Sequence, residues 1–252
     1  MLVDPVLISP ATGPVRTSEE TQPRSSAPRA TRRFIVFGKI VPAVAFAVLT
    51  ARDIVNVVDD VAYVRSHMLP STVLLTLADV LASVFSLIQV LLFLAHEPPS
   101  AKDNRIVMRA LPIVATFLLP TLVTFAPAGP HLGHVPEHWD AEAAVVVLAA
   151  VSLGIWALLT LSTSFSLSPE VRRLAATGPY RLVRHPVYLA EVVTGFAIAV
   201  SAGELTLVVG ALGLLVLQVI RLTAEEQLLA AHLPGYEALS RDTVYRLVPG
   251  VW

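Results

Sequence analysis

Apolar residues run almost unbroken through six stretches of the chain, 34–51, 71–95, 107–125, 141–163, 187–202 and 205–220, each bounded by charged residues or proline. At 1.5 Å per helical residue, the first four can each cross a hydrocarbon core of about 30 Å, some with tilt. The last two are shorter and are joined only by Ser201-Ala202-Gly203-Glu204, which predicts a tight helical hairpin with its ends near the headgroups. Short connections predict that sequential helices pack as antiparallel neighbours. The pattern therefore predicts an all-α, polytopic integral membrane bundle of about six segments. Beyond it, residues 224–232 have helix-forming composition, and Leu233-Pro234-Gly235 ends that helix. Residues 236–247 read as a further short surface helix or loop on the cytoplasmic side, and Trp252 suits an interfacial anchor.

Composition sharpens this picture. Of 252 residues, 55% are hydrophobic and 15% charged, where a soluble globule would carry about a quarter charged residues. The first 33 residues hold five prolines and five arginines, which cannot bury a core and read as a disordered basic tail beside anionic headgroups. No apolar stretch near Met1 reads as a signal peptide. Residues 34–140 then form an N-terminal set of spans and 141–252 a second unit. The chain has no cysteine, which excludes disulfides, thiolate metal sites and cysteine nucleophiles. A net charge of −1 argues against a nucleic-acid partner. Nothing in the sequence points to an obligatory protein partner.

Arginine and lysine set the expected orientation. Sixteen fall on the side of the tail, the 96–109 loop, the 164–186 loop and the C-terminal stretch, and only Arg52 and Arg65 fall opposite. This asymmetry predicts both termini, and both polar clusters described next, on the cytoplasmic face of a bacterial-type plasma membrane.

The first cluster runs from Gly178 to Tyr188 at the start of the fifth apolar stretch. Pro186 fits the first turn of a helix, and Arg184, His185 and Tyr188 then share one side of it, with Glu191 and Gly195 continuing inward. Free N–H groups at such a start favour a carboxylate or phosphate. The second cluster places Gln218, Arg221 and Glu225 on one stripe running from membrane depth into the cytosol. Arg221 and Glu225 either neutralise each other across a turn or serve a ligand: the arginine fork a carboxylate, the glutamate an amine, ribose or adenine. His131, His134 and His138, with Glu137, lie in a proline-rich extracytoplasmic loop and read as solvated rather than metal-binding. Asp79 lies within a span and reads as a helix-packing contact before a cavity lining. No metal site is predicted.

The string from Leu174 to Tyr188, followed by Arg221 and Glu225-Glu226, then Gly235-Tyr236 and Tyr245 to Pro249, resembles isoprenylcysteine carboxyl methyltransferases. Phospholipid amine and small-thiol methyltransferases share this C-terminal half. The resemblance covers roughly residues 141–252 and implies a methyltransferase core using S-adenosyl-L-methionine. It implies cofactor contacts from Arg172, Arg173, Leu174, Ala175, Tyr180, Arg184, His185, Pro186, Val187, Tyr188 and Glu225. Arg221 matches the arginine nearest the substrate's carboxylate, and Tyr188 and Glu191 complete the catalytic candidates. Ala190 stands where many relatives have glycine, and Leu239 where many have a second tyrosine. The implied substrate is a lipophilic molecule entering from the bilayer. Membrane sterol-type reductases, which use NADPH, have partly similar C-terminal motifs and form the other alternative.

Overall fold

A computed structural model describes residues 36, 39–66, 70–95, 101–102, 106–125, 129–136, 138–161, 170–171, 177–232 and 235–252. The basic tail and Arg172–Ala175 lie outside them. The described residues form seven α-helices: α1 Val41–Ser66, α2 Pro70–Ala95, α3 Ile106–Phe125, α4 His138–Leu161, α5 Pro186–Ala202, α6 Leu205–His232 and α7 Tyr236–Asp242. A 3-10 turn at Gly178–Arg181 precedes α5, and Ala101–Lys102 pairs antiparallel with Glu170–Val171 in a two-residue ladder. The architecture is thus the expected helical one, with that small ladder added.

Among the described residues, α1, α2, α4 and α6 are long and apolar enough to cross a membrane, while the apolar stretches Ile113–Val123 and Pro186–Ala202 are shorter. Their outer faces are apolar and open, as at Val48 (64% exposed) and Leu159 (59% exposed), which suits lipid contact.

Two boundaries differ from those predicted. Helix α1 does not stop at Ala51 but continues through Arg52, Asp53 and Asp60 to Ser66. Charge ends a membrane helix only where the side chain must reach water, and here Arg52 and Asp53 line an interior cavity instead. Arg52 therefore belongs to a helix rather than to an outer loop. Helix α6 runs 28 residues without a break, so Ala224–His232 continues the span rather than starting a separate helix. Its Ala-Glu-Glu-Gln-Leu-Leu sequence favours propagation over termination.

Packing follows the expected neighbour order for α1 with α2, α4 with α5 and α5 with α6, and α2 also packs on α4. Helix α3 departs from it, because its main partner is α6. The cause is a glycine-lined groove: a Cβ at Gly195 or Gly210 would stand 2.4 Å from the side chain of Leu119 or Leu122 respectively. Only hydrogen at those positions lets the α3 leucines seat.

The connections segregate into two sets. At one end the turn Gly203-Glu204, where Gly203 adopts φ +62°, is strapped by the loop between α3 and α4: Leu132 N–H donates to Gly203 O (2.9 Å) and Leu205 N–H to Pro130 O (3.1 Å). At the other end the ladder joins the α2–α3 and α4–α5 connections, and the C-terminal segment docks beside the start of α5.

Candidate active site

The site forms where the start of α5 meets the second half of α6. Pro186 opens α5, with His185 as its N-cap residue, so the turn's geometry fixes the directions of Arg184, His185 and Tyr188. The rings of His185 and Tyr188 stack 5.3 Å apart, and the Tyr188 hydroxyl donates to Glu225 Oε2 at 2.6 Å. The Arg221 guanidinium lies over the Tyr188 ring, 4.4 Å from its centroid. Tyr180, buried in the 3-10 turn, faces the same carboxylate; burial, then the charge of Glu225, raises its phenol above the ordinary tyrosine range. The two predicted clusters are therefore one site.

Arg221 is 1% exposed, and its Nε and Nη1 have no hydrogen-bond partner among the described residues. Glu225, one turn on, is taken by Tyr188 rather than by Arg221. Mutual neutralisation of Arg221 and Glu225 is not what the structure shows. Glu191, one turn deeper on α5, accepts a hydrogen bond from Gln218 Nε2. A buried guanidinium with open donors is costly unless an anion completes it. The open donors therefore mark a place for an anionic group.

Glu226, adjacent to the predicted Glu225, is the hub that sequence reasoning passed over. Its Oε1 accepts from Arg184 Nη1 (2.8 Å) and lies 3.3 Å from His185 Nε2, and its Oε2 forms an ion pair with Arg246 Nε (2.8 Å). Arg184 also donates to the carbonyls of Thr243 (Nε, 2.9 Å) and Val244 (Nη2, 2.9 Å). Its backbone N–H and that of His185 donate to Tyr245 O and Arg246 O. Arg184, expected to touch cofactor, is thus engaged as a clamp between α6 and the C-terminal segment.

The C-terminal segment closes on itself. Trp252 O accepts from the amides of Arg246, Leu247 and Val248, and Arg246 lies 5.3 Å over the Trp252 ring. That ring, expected as an interfacial anchor, is a partner of Arg246. Thr243, buried, donates its hydroxyl to Tyr180 O (3.1 Å). Tyr236, at the start of α7, sits beside the cluster; burial, then the charge of Glu226, pushes its phenol up to about 12.

Of the remaining expectations, Pro186 and Val187 are buried at the start of α5, and Ala190 is buried facing α4, 3.2 Å from where a Gly154 Cβ would stand. The loop histidines gather no metal-binding group among the described residues, and His131 instead bridges to Glu204 through backbone. Asp79 does not serve packing alone: it lines a cavity of about 400 Å³ between the N-terminal helices and α5.

Long apolar helices beside a buried, charged and aromatic cluster mark an integral membrane protein. Residues 143–231 match the model of the isoprenylcysteine carboxyl methyltransferase (ICMT) family. The match spans α4 through nearly all of α6, including His185, Tyr188, Arg221 and Glu225. No match was found among curated proteins.

Proposed function

We propose that this protein transfers a methyl group from S-adenosyl-L-methionine to a carboxylate on a lipophilic substrate at the cytoplasmic membrane interface. The observation that carries this reading is Arg221: buried, over Tyr188, with Nε and Nη1 open. A guanidinium fork suits two carboxylate oxygens.

The residues present fit the cofactor. Tyr180, His185 and Tyr188 offer aromatic faces for a sulfonium and an adenine, and Glu225 offers a carboxylate for a cation or for ribose hydroxyls. Arg172–Ala175 complete the proposed set by family likeness. When bound, the cofactor would supply an electrophilic methyl carbon to the acceptor oxygen, with the thioether as leaving group. A carboxylate is already ionised at neutral pH, so no residue need take a proton. Arg221 holds the acceptor's two oxygens, the Tyr188–Glu225 hydrogen bond fixes the neighbouring ring, and burial keeps water out. Phospholipid amines or small thiols would instead need a proton acceptor, a part open to Glu191, Tyr188 or His185.

His185→Ala, Tyr188→Ala and Glu225→Ala should each weaken S-adenosylhomocysteine binding roughly ten- to hundred-fold, the value of one charge-assisted hydrogen bond. Calorimetry on the detergent-purified protein checks this, with NADPH titrated in parallel. Unchanged affinity in all three variants, or binding of NADPH alone, would refute the assignment.

The cytoplasmic placement is supported by the sixteen-to-two charge count and by the segregation of connections into two sets. Because the native chain lacks cysteine, single cysteines report cleanly. Those at Ser66 and Pro136 should label from outside intact cells, and one at Ala176 only after permeabilisation. Labelling at position 176 in intact cells would reverse the orientation.

A further inference from the structure

The interior cavity reaches from the edge of the site into the N-terminal helices. Glu191, Thr194 and Ile198 of α5 line it on one side, and Gln89, Ser86 and Asp79 of α2 on another. Its volume of about 400 Å³ suits one medium-sized guest. From Gln89 to Asp79 is ten helical residues, so its α2 wall is ~15 Å long. Glu191 at the near end lies within electrostatic range of Arg221, so a guest whose head meets Arg221 extends its other end toward Asp79.

That far end is wrong for a hydrocarbon tail. Arg52, Asp53 and Asn56 of α1 and Asp79 of α2 all line the cavity. Asp60 of α1 faces Asp79, and Arg52 is the one cation acting on Asp53 and Asp79. The Arg52–Asp53 pair is long, at 3.8 Å, and Ser86 Oγ donates to Asp53 at 3.2 Å. One guanidinium thus serves both carboxyl groups that line this end of the cavity. Across the cavity, Thr116 Oγ1 of α3 is buried without a hydrogen-bond partner among the described residues, and Gln89 is buried in the wall at 2% exposure. Ionisable groups within spans persist where they meet one another or a ligand. Contacts between α1 and α2 need no such groups, because the apolar faces of Phe46 and Phe93 already stack there at 5.7 Å.

We propose that this cavity receives the distal end of an amphiphile that carries a cationic amino group, so that the substrate is polar at both ends. The amino group meets Asp53 and Asp79, the hydrocarbon midsection lies along Phe85, Leu119 and Ala190, and the acceptor carboxylate reaches Arg221. This deepens the methyltransferase reading and rests on the placement of the head group at Arg221.

Three twelve-carbon probes with the same carboxylate head isolate the distal group: dodecanoate, 12-hydroxydodecanoate and 12-aminododecanoate. Each is titrated against full-length protein in neutral-lipid nanodiscs, saturated with S-adenosylhomocysteine whose own binding is measured first. The amino probe should bind at least roughly tenfold more tightly than dodecanoate, the value of one charge-assisted contact. Asp79→Asn and Asp53→Asn should each remove most of that preference while leaving S-adenosylhomocysteine affinity unchanged. Equal or tighter binding of dodecanoate, binding of none of the probes to the nucleoside-saturated protein, or a preference that survives both substitutions would overturn the proposal. Failure of S-adenosylhomocysteine itself to bind would instead strike the cofactor reading. The wild-type comparison needs no variant to fold.

Discussion

Arg221→Lys is expected to lower methyl transfer by roughly two orders of magnitude, with S-adenosylhomocysteine affinity changing by less than about threefold. Lysine keeps the charge but replaces a planar fork with a point charge, so it cannot hold both oxygens of a carboxylate in line with the incoming methyl carbon. Glu225, which contacts the cofactor in the proposed site, is bonded to Tyr188 and not to Arg221, so the substitution leaves that bond in place. The measurement is radiolabelled methyl transfer to the carboxylate of 12-aminododecanoate, with calorimetry for the nucleoside. Near-normal turnover would remove the carboxylate clamp from the mechanism and favour an amine or thiol acceptor, for which an orienting fork is not required.

Glu226→Gln should be the most damaging single change to stability in this half of the chain. It leaves Arg184, His185 and Arg246 around a neutral amide, where one carboxylate now serves all three. Glu226 and His185 are each 8% exposed and Arg184 14%, so solvent screens the loss poorly. Breaking a buried ionic cluster from one side costs about 3–5 kcal/mol; the more open Arg246 places the expectation toward the lower figure. The thermal midpoint in detergent should fall by several degrees. Proteolysis should cut first near residues 243–252, because the segment loses the side-chain half of its attachment. A melting curve superimposable on that of the native protein would show that the backbone bonds from Arg184 and His185 suffice alone.

Much of the bundle was legible because a bilayer demands long apolar runs, and such runs are hard to mistake. What failed was the inference from charge to helix end. Arg52 and Asp53 read as the start of a loop, yet α1 carries them inward toward Asp79, and no local pattern distinguishes a cavity wall from a membrane surface. At the other end, Arg221 and Glu225 were placed on one stripe correctly, but the continuation of α6 to His232 was read as a new element. The residues proposed to face the ligand stood out because tyrosine, arginine and histidine crowd Gly178 to Tyr188, and arginine and glutamate recur at 221 and 225. Glu226 did not, because its partners lie at positions 184, 185 and 246, brought together only by tertiary docking. Helix spacing also revealed nothing of how α3 packs: Gly195 was legible as a residue on the inward face of α5, but not that Leu119 fills the space beside it.

The seating of Leu118, Leu119 and Leu122 of α3 against Gly195, Gly210 and Gly213 also bears on how such a chain can diversify. Helix α3 is locked to the C-terminal half by shape, while α1 and α2, packed chiefly on each other and on α4, carry Arg52, Asp53 and Asp79 of the cavity. A recombination point between α2 and α3 would exchange the recognition module and keep the interlocked remainder intact. A crossover between α3 and α4 would force foreign leucines into a groove shaped by these three glycines. Chimeras of related membrane methyltransferases joined near residue 100 should therefore fold far more often than those joined near residue 130, and should inherit the donor's choice of substrate with its first two helices.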